Sequence, residues 1–184
     1  MYGIMRCVAM TRRIARRAPS LLALAARSTA VLFLVLGGPV VAQGVVKAKH
    51  GGWETRCETP AGAQAEQCAL VESIVDDDRP NLTLVVIALK PADRKTRLLR
   101  VIAPLGVLLP TGLSLKVDNE DIGRMNFIRC LANGCVAEVF LDDKLLGKIE
   151  LGKQVTFVLF ETPEEGVGVP TSLTGFKEGF EALP

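Results

Sequence analysis

The sequence is poor in the residues that most often carry catalysis. Its 184 residues include a single histidine, His50, and aromatic residues make up only 5% of the chain. Because His50 lies in a stretch of small and polar residues, a Ser-His-Asp or Cys-His arrangement has no credible general base, and we interpret it as a solvated linker residue. The low aromatic content also argues against a sugar-binding site built from stacked rings. A pair of carboxylates for glycoside hydrolysis remains an open alternative, because the two residues need only be close in space and not in sequence. The sequence therefore predicts no catalytic residue.

Signals for cofactors and metals are scarce as well. The chain has no glycine-rich loop of the phosphate-binding type. The run Asp76-Asp77-Asp78 lacks the alternating ligand spacing and the glycine of a calcium loop, so we interpret it as a solvated loop, and 118–121 as a hairpin turn. The cysteines are not spaced as Cys-x-x-Cys, which argues against a zinc site or a thiol-redox site. We predict no cofactor and no bound metal.

The first 42 residues differ from the rest of the chain in charge. They contain six arginines and no acidic residue, and they end in an apolar run at 30–36 and small residues at 40–42. A basic region, a short apolar core and a small-residue exit are the three parts of a secretory signal peptide. Arg27 and Gly37-Gly38-Pro39 bound the apolar run, which is too short for a membrane span of about 20 residues. We predict a cleaved signal peptide over 1–42, export to the periplasm, the outer envelope or the extracellular space, and no membrane span after cleavage.

Removal of this leader reverses the sign of the net charge. The whole chain has 22 Lys and Arg residues against 20 Asp and Glu, a formal charge of +2. Six of the basic residues lie in the leader, so 16 remain against all 20 acidic ones and the formal charge becomes about −4. The mature part has no basic patch with interleaved aromatics, and we predict that it does not bind nucleic acid.

Four cysteines remain once the leader and its Cys7 are removed: Cys57, Cys68, Cys130 and Cys135. An even set in an exported protein predicts two disulfides. Four cysteines allow three pairings, and sequence proximity favours Cys57–Cys68 and Cys130–Cys135. Each of these would close a short loop and stabilise the fold by roughly 2–3 kcal/mol in the chain-entropy model.

The mature part reads as short strands separated by turns. Residues 43–52 are small and polar and are interpreted as a flexible lead-in, and 53–184 as one domain. Apolar segments of strand length recur at close spacing, without a long helical pattern, over 53–57, 66–75, 81–89, 98–103, 113–118, 125–130, 135–141, 155–160 and 167–173. This pattern predicts an all-β fold, an antiparallel β-sandwich of the immunoglobulin-like class or else a barrel, with short helical turns near 142–147 and at the C-terminus.

Two apolar segments are candidate surfaces for a partner. The strand 81–89 is apolar on both faces, so it is either covered on each side or one face meets a partner, through Val85 and Ile87. The connector 104–110, with Leu108 and Leu109, is apolar and punctuated by proline and glycine. The alternative for both segments is that they lie in the core, because exposed apolar patches are uncommon. Trp53, next to a cysteine in a small β domain, is interpreted as a core residue rather than an exposed anchor.

Several short motifs follow one another in the order found in a bacterial family. They are Gly52-Trp53, the pair Cys57 and Cys68, the connector 104–110 with Leu115-Lys116-Val117-Asp118 after it, the segment from Cys130 to Ala137, and Ser172-Leu173-Thr174-Gly175-Phe176. Together they resemble the invasion-associated locus B family of bacterial secreted proteins over nearly all of residues 50–183. The resemblance implies a β-sandwich with two disulfides, residence in the periplasm or at the outer envelope, and a link to host-cell invasion, from which the family is named. It carries over no active site, because it offers no catalytic motif to match.

Two classes of function follow from these observations. The first is a non-enzymatic envelope protein that binds a partner protein, an envelope component or a host surface. The second is a periplasmic enzyme, either a hydrolase with paired carboxylates or a thiol-redox protein. The family resemblance and the scarcity of catalytic residues favour the first class, with an unknown partner and an unspecified oligomeric state.

Overall fold

The computed structural model of the protein describes residues 44–76, 78–91 and 95–184. The predicted signal peptide over 1–42 lies outside these residues, as does Asp77 of the acidic run. Within the described ranges, no helix has the length and apolar character needed to cross a membrane.

The described residues form ten strands, two short helices and one turn of 3-10 helix at Leu109–Thr111. The strands are β1 Val45–His50, β2 Trp53–Glu58, β3 Gln67–Val75, β4 Thr83–Leu89, β5 Leu98–Ala103, β6 Leu113–Val117, β7 Glu120–Leu131, β8 Gly134–Phe140, β9 Gln154–Phe160 and β10 Gly166–Ser172; the helices are α1 Asp143–Leu151 and α2 Phe176–Glu181. All neighbouring strands pair antiparallel. The predicted all-β antiparallel fold with two short helices is confirmed.

The long strand β7 links the two halves of the sheet. The strand order is β1-β2-β3-β4-β5-β8-β7-β6-β9-β10. Residues 126–131 of β7 pair with β8, whereas residues 120–125 pair with β6. We call the strands on one side of β7, which are β1, β2, β3, β4, β5 and β8, the first half of the sheet. The strands on its other side, β6, β9 and β10, are the second half.

Both halves bury apolar residues in one core. Leu84 and Val101 from the first half, and Leu115 and Phe157 from the second, are almost entirely buried in the same cluster. Alternation with period two produces this arrangement, because successive side chains of a strand point to opposite faces. In β9, for example, Val155, Phe157 and Leu159 are buried while the residues between them are partly exposed.

Each disulfide joins two residues that are directly opposite in a pair of strands. Cys57 and Cys68 are register partners in β2 and β3, and Cys130 and Cys135 are partners in β7 and β8. This is the pairing that sequence proximity favours, and each bond fastens a hairpin that the sequence predicts.

Three segments differ from the sequence-based expectation. Residues 45–50 form β1 instead of part of a flexible lead-in, because their backbone pairs with β2. Five of the six residues of β1 are exposed, so no alternation marks the strand in the sequence. Strand β7 begins at Glu120 and not at Met125, and the connector holds one 3-10 turn at Leu109–Thr111 although its prolines exclude a longer helix.

Candidate functional site

Strand β4 keeps an apolar, half-buried face on the outside of the first half. Leu84, Val86 and Ala88 are fully buried, whereas Val85 and Ile87 retain contact with solvent. On the neighbouring strands, Val71 is directly opposite Ile87 and Ile102 is directly opposite Val85. Opposed residues of adjacent strands lie about 5 Å apart, so their side chains form a continuous surface. We call Val71, Val85, Ile87 and Ile102 the outer patch.

Ion pairs flank the outer patch on both sides. On β2, Glu54 is directly opposite Val71 and binds Lys49 at 2.9 Å and Arg56 at 2.8 Å. The hydrogen bond from Lys49, which has the larger effect, and the hydrogen bond from Arg56 lower the pKa of the Glu54 carboxyl. On β5, Arg100 is directly opposite Ile87, and its Nε donates to Oε1 of Glu138 at 2.6 Å.

The outer patch therefore has an apolar centre and a charged border. This is the layout of a protein-binding surface, in which an apolar centre is desolvated and a polar rim stays wet. Phe140, at the end of β8, is strongly exposed and extends the apolar surface of the first half. It is directly opposite Leu98 on β5, and Leu98 is in turn directly opposite Leu89 on β4.

The three leucines of the connector lie in different environments. Leu109 is 44% exposed, and Leu105 nearby is 58% exposed. Leu108 is half-buried, and its backbone N–H donates to the carbonyl of Phe160 at the end of β9 at 2.7 Å. The connector is thus anchored to the second half at Leu108, while Leu105 and Leu109 point to solvent. Val85 and Ile87 belong to the first half, so the candidate residues form two surfaces and not one.

Trp53 is a core residue, as the sequence predicts. It is 1% exposed, and its ring meets Phe176 edge to face with centroids 5.0 Å apart. Its Nε1–H donates to the carbonyl of Ser172 at 3.0 Å. These contacts bring together two sequence motifs that are 119 residues apart along the chain.

His50 is not a solvated linker residue. Its Nε2 lies 3.3 Å from Oγ1 of Thr55, within hydrogen-bonding distance. Its ring packs against α2 at Gly179, where an added Cβ would come within 3.0 Å of Cδ2 of the histidine. This role could not be predicted from the sequence, because His50 and Gly179 are 129 positions apart and the close packing requires that residue 179 be a glycine.

Two clefts among the described residues contain carboxylates, and neither brings together two carboxylates that lack other partners. The larger, of about 430 Å³, opens beside the first disulfide and contains one carboxylate, that of Glu58. The smaller, of about 270 Å³, is lined by both Asp118 and Glu120. Asp118 accepts backbone N–H groups of 153 and 154, and Glu120 pairs with Lys148, so both carboxylates already have structural partners.

A hairpin turn forms where the sequence predicts one, but it comprises only residues 118 and 119, because the expected turn residues Glu120 and Asp121 already belong to β7. Asp118 and Asn119 have φ values of 48° and 70°, which lie in the left-handed region that two-residue hairpin turns use. In the other acidic run, Asp76 accepts the backbone N–H of Arg79 at 2.8 Å and so shapes its own loop.

One group of metal-type ligands lies in the described part of the chain. It consists of Cys57, Cys68 and Glu66, whose ligand atoms are all within 4.8 Å of one another. The two sulfurs are bonded to each other, so neither is the thiolate that a metal would bind. Glu66 is paired with Lys47 at 3.1 Å.

Comparison with known proteins places these features in a family context. A family model described as "Invasion associated locus B (IalB) protein" matches residues 53–184. The Invasion protein B homologs of Brucella abortus strain 2308 and Brucella abortus biovar 1 strain 9-941 are each 31% identical over 84 residues, 45% of this chain and 49% of each relative. The chain thus spans about half the length of the curated relatives it matches.

A solved structure shares the fold. The crystal structure of invasion associated protein b from Bartonella henselae matches with a TM-score of 0.60 and 18% identity, and the match covers 73% of this chain and 91% of that chain. At this identity the likeness concerns the fold alone.

Proposed function

This chain belongs to the invasion-associated locus B family, and from that premise we propose that it is an exported envelope protein that binds a protein or envelope partner and has no catalytic activity. The observation that carries the proposal is the outer patch. It presents four aliphatic side chains to solvent between two sets of ion pairs. A partner that covers it would remove apolar surface from water, which contributes about 25 cal/mol for each Å².

Export is part of the same proposal. The arginine-rich leader over 1–42 supports a cleaved signal peptide. Two disulfides that fasten exposed hairpins are stable in an oxidising compartment and rare in the cytosol. The proposed location of the mature protein is the periplasm, the outer envelope or the extracellular space, and only the last two would allow contact with host cells.

The partner surface is tested by capture from the envelope fraction with the exported protein as bait. Val85→Lys places a charge in the centre of the outer patch, and we expect it to abolish capture of the partner that the wild type retains. The matched control is Thr83→Lys, which adds the same charge on the same outward face of β4 at an exposed position outside the patch. Equal capture by both variants would assign binding to another surface.

The connector is the second candidate surface, and Leu109→Asp tests it in the same assay. Loss of capture with Leu109→Asp, and retention with Val85→Lys, would move the binding site from the outer patch to the connector. Because Leu109 is exposed, this variant is expected to leave the thermal midpoint nearly unchanged.

The enzyme alternative is tested by a thiol count and by carboxylate substitution. No free thiol in the native exported protein is expected, because both cysteine pairs are bonded. Two readily reduced cysteines would restore the thiol-redox hypothesis. A hydrolase that uses the smaller cleft would need Asp118 or Glu120, and hydrolytic activity on envelope glycans that Glu120→Gln removes would contradict the binding proposal.

A further inference from the structure

Two segments that are far apart in the sequence meet at a tight junction. It is formed by the turn between β1 and β2, at Gly51-Gly52, and by the segment that follows β10. A Cβ added to Gly51 would lie 2.5 Å from the carbonyl oxygen of Thr174, and one added to Gly175 would overlap the carbonyl of His50. The backbones therefore touch with no room for a side chain. We call this contact the end junction.

Glu72 places a carboxyl group on the buried face of the sheet beside the end junction. It lies between Leu70 and Ile74 on β3, both of which are buried, and directly opposite the fully buried Val86. The other inward-facing residues around it are apolar, such as Leu70 and Val86, or carry a neutral hydroxyl, as Thr55 and Thr171 do. Glu72 is half-buried overall, so its carboxyl group is partly withdrawn from water at the margin of the core, where a charge is costly unless it is paired.

The contacts of Glu72 are with the two sides of the end junction. Oε1 lies against Gly52, where an added Cβ would come within 2.5 Å of it. The hydroxyl of Thr171, on β10, donates a hydrogen bond to the carboxyl group. Oε2 is buried and accepts no hydrogen bond from the described residues. Glu72 thus touches both the first hairpin and the edge strand β10.

The charged groups on the surrounding elements do not neutralise this carboxylate. Strands β4 and β10 carry no titratable side chain. On β2, Glu54 is on the outer face and is paired with Lys49 and Arg56. At the end of β1, His50 lies against α2 and Thr55. Helix α2 carries three charged residues, all exposed: Lys177, Glu178 and Glu181.

We propose that Glu72 is a pH-responsive latch, whose protonation tightens the contact of β10 and the C-terminal segment with the first hairpin. Burial raises the pKa of the Glu72 carboxyl, and the hydrogen bond from Thr171 opposes this effect. A group with a raised pKa in the folded state stabilises that state fully below its ordinary pKa, and the stabilisation is lost as the pH rises through the raised value. The latch is therefore closed in acid and looser near neutral pH.

Strand β10 is the element that such a latch would release. It is the last strand of the order and pairs only with β9. Edge elements with few buried contacts open locally at a lower free energy than the whole domain. Opening of β10 would also uncouple the bond between Trp53 and Ser172.

Hydrogen exchange of the exported protein at pH 5 and pH 7.5, corrected for intrinsic exchange rates, tests the latch. In the wild type we expect severalfold more protection at pH 5 in residues 44–58 and 166–184, with little change in β5. Glu72→Gln mimics the protonated acid and is expected to give the high protection at both pH values. His50→Gln is the control and is expected to retain the wild-type pH dependence. A pH dependence that survives in Glu72→Gln, or that is lost only in His50→Gln, would overturn the proposal.

A second measurement does not depend on the folding of a variant. The carboxyl carbon of Glu72, followed by NMR in the wild type, should titrate with a midpoint above the ordinary range of glutamate. Thr171→Val removes the opposing hydrogen bond and should move that midpoint, and the exchange transition with it, to higher pH. A Glu72 midpoint in the ordinary range would overturn the latch whatever the exchange data show.

Discussion

Strands β3 and β4 present two faces that differ in what surrounds them. On the inner face, Leu84 and Val86 are fully buried in the core cluster that also contains residues of the second half. Glu72 lies on the same face, and its Oε2 has no hydrogen-bond partner among the described residues. On the outer face, Val85 and Ile87 are of the same chemical type as the core residues yet stay in contact with solvent.

Under the proposed function, this difference separates residues that stabilise the domain from residues that would contact a partner. Apolar residues on the inner face stabilise the domain, because their burial is completed within the chain. Apolar residues on the outer face gain little from folding and would gain more from a partner. Charged groups usually lie on the solvent face of a sheet and aliphatic groups on the core face. The carboxylate on the inner face and the aliphatic groups on the outer face both depart from this pattern, and such departures are found at functional or strained positions.

The largest expected effect is on the inner face. Leu84→Ala should lower the free energy of unfolding by about 2–5 kcal/mol, because it removes a fully buried side chain and leaves a cavity. Ile87→Ala on the outer face should cost less, about 1 kcal/mol, because its side chain is already partly hydrated. Urea denaturation of both variants measures the comparison, and equal losses would mean that the outer face is covered in solution.

Removal of the disulfides should have the next largest effect. The loop closed by Cys57–Cys68 is longer than that closed by Cys130–Cys135, with sequence separations of 11 and 5. Replacement of each pair by serine should cost about 3 and about 2 kcal/mol respectively. Thermal melts of the two double variants test this order, which the opposite ranking would contradict.

The connector leucines sharpen the comparison at a smaller scale. Leu108→Asp introduces a charge at a half-buried position next to β9 and should cost about 1–3 kcal/mol. Leu109→Asp should change the stability by no more than about 0.5 kcal/mol, because the side chain is exposed. If both variants leave the thermal midpoint unchanged, the connector is an exposed surface throughout.

The last expected effect depends on pH and concerns the carboxylate of the inner face. Glu72→Gln should raise the thermal midpoint by about 3 °C at pH 7.5 and leave it unchanged at pH 4, where the wild-type acid is already neutral. The sign follows from the raised pKa of Glu72. A midpoint that falls at pH 7.5 would show that the charged form has a favourable partner.

Local chemistry made much of the fold predictable. The alternation of β6 and the apolar run of β4 mark strands directly. Asp142 caps α1 by accepting the backbone N–H of Leu145 at 2.7 Å, as the acidic pair before an apolar segment suggests. The two hairpins with cysteines at their ends were visible because both partners lie close in sequence.

Long-range contacts were not predictable in the same way. Strand β1 has no alternation, since it is held by its backbone and by ion pairs such as Lys47–Glu66. The burial of Glu72 depends on β10, about a hundred residues away, and its charge in the sequence suggests an exposed position. His50 was misinterpreted for the same reason, because its partner Gly179 is at the other end of the chain.

The sequence by itself determined the class of fold, the two hairpins with their cysteines and the family to which the chain belongs, because these depend on short-range patterns. Only the tertiary structure decided which face of β4 is buried, that the connector is anchored at Leu108, and that Glu72 lies between the first hairpin and β10. The reason is physical: alternation tells which residues share a face, but burial is decided by whatever packs on that face, and that partner comes from a distant part of the chain.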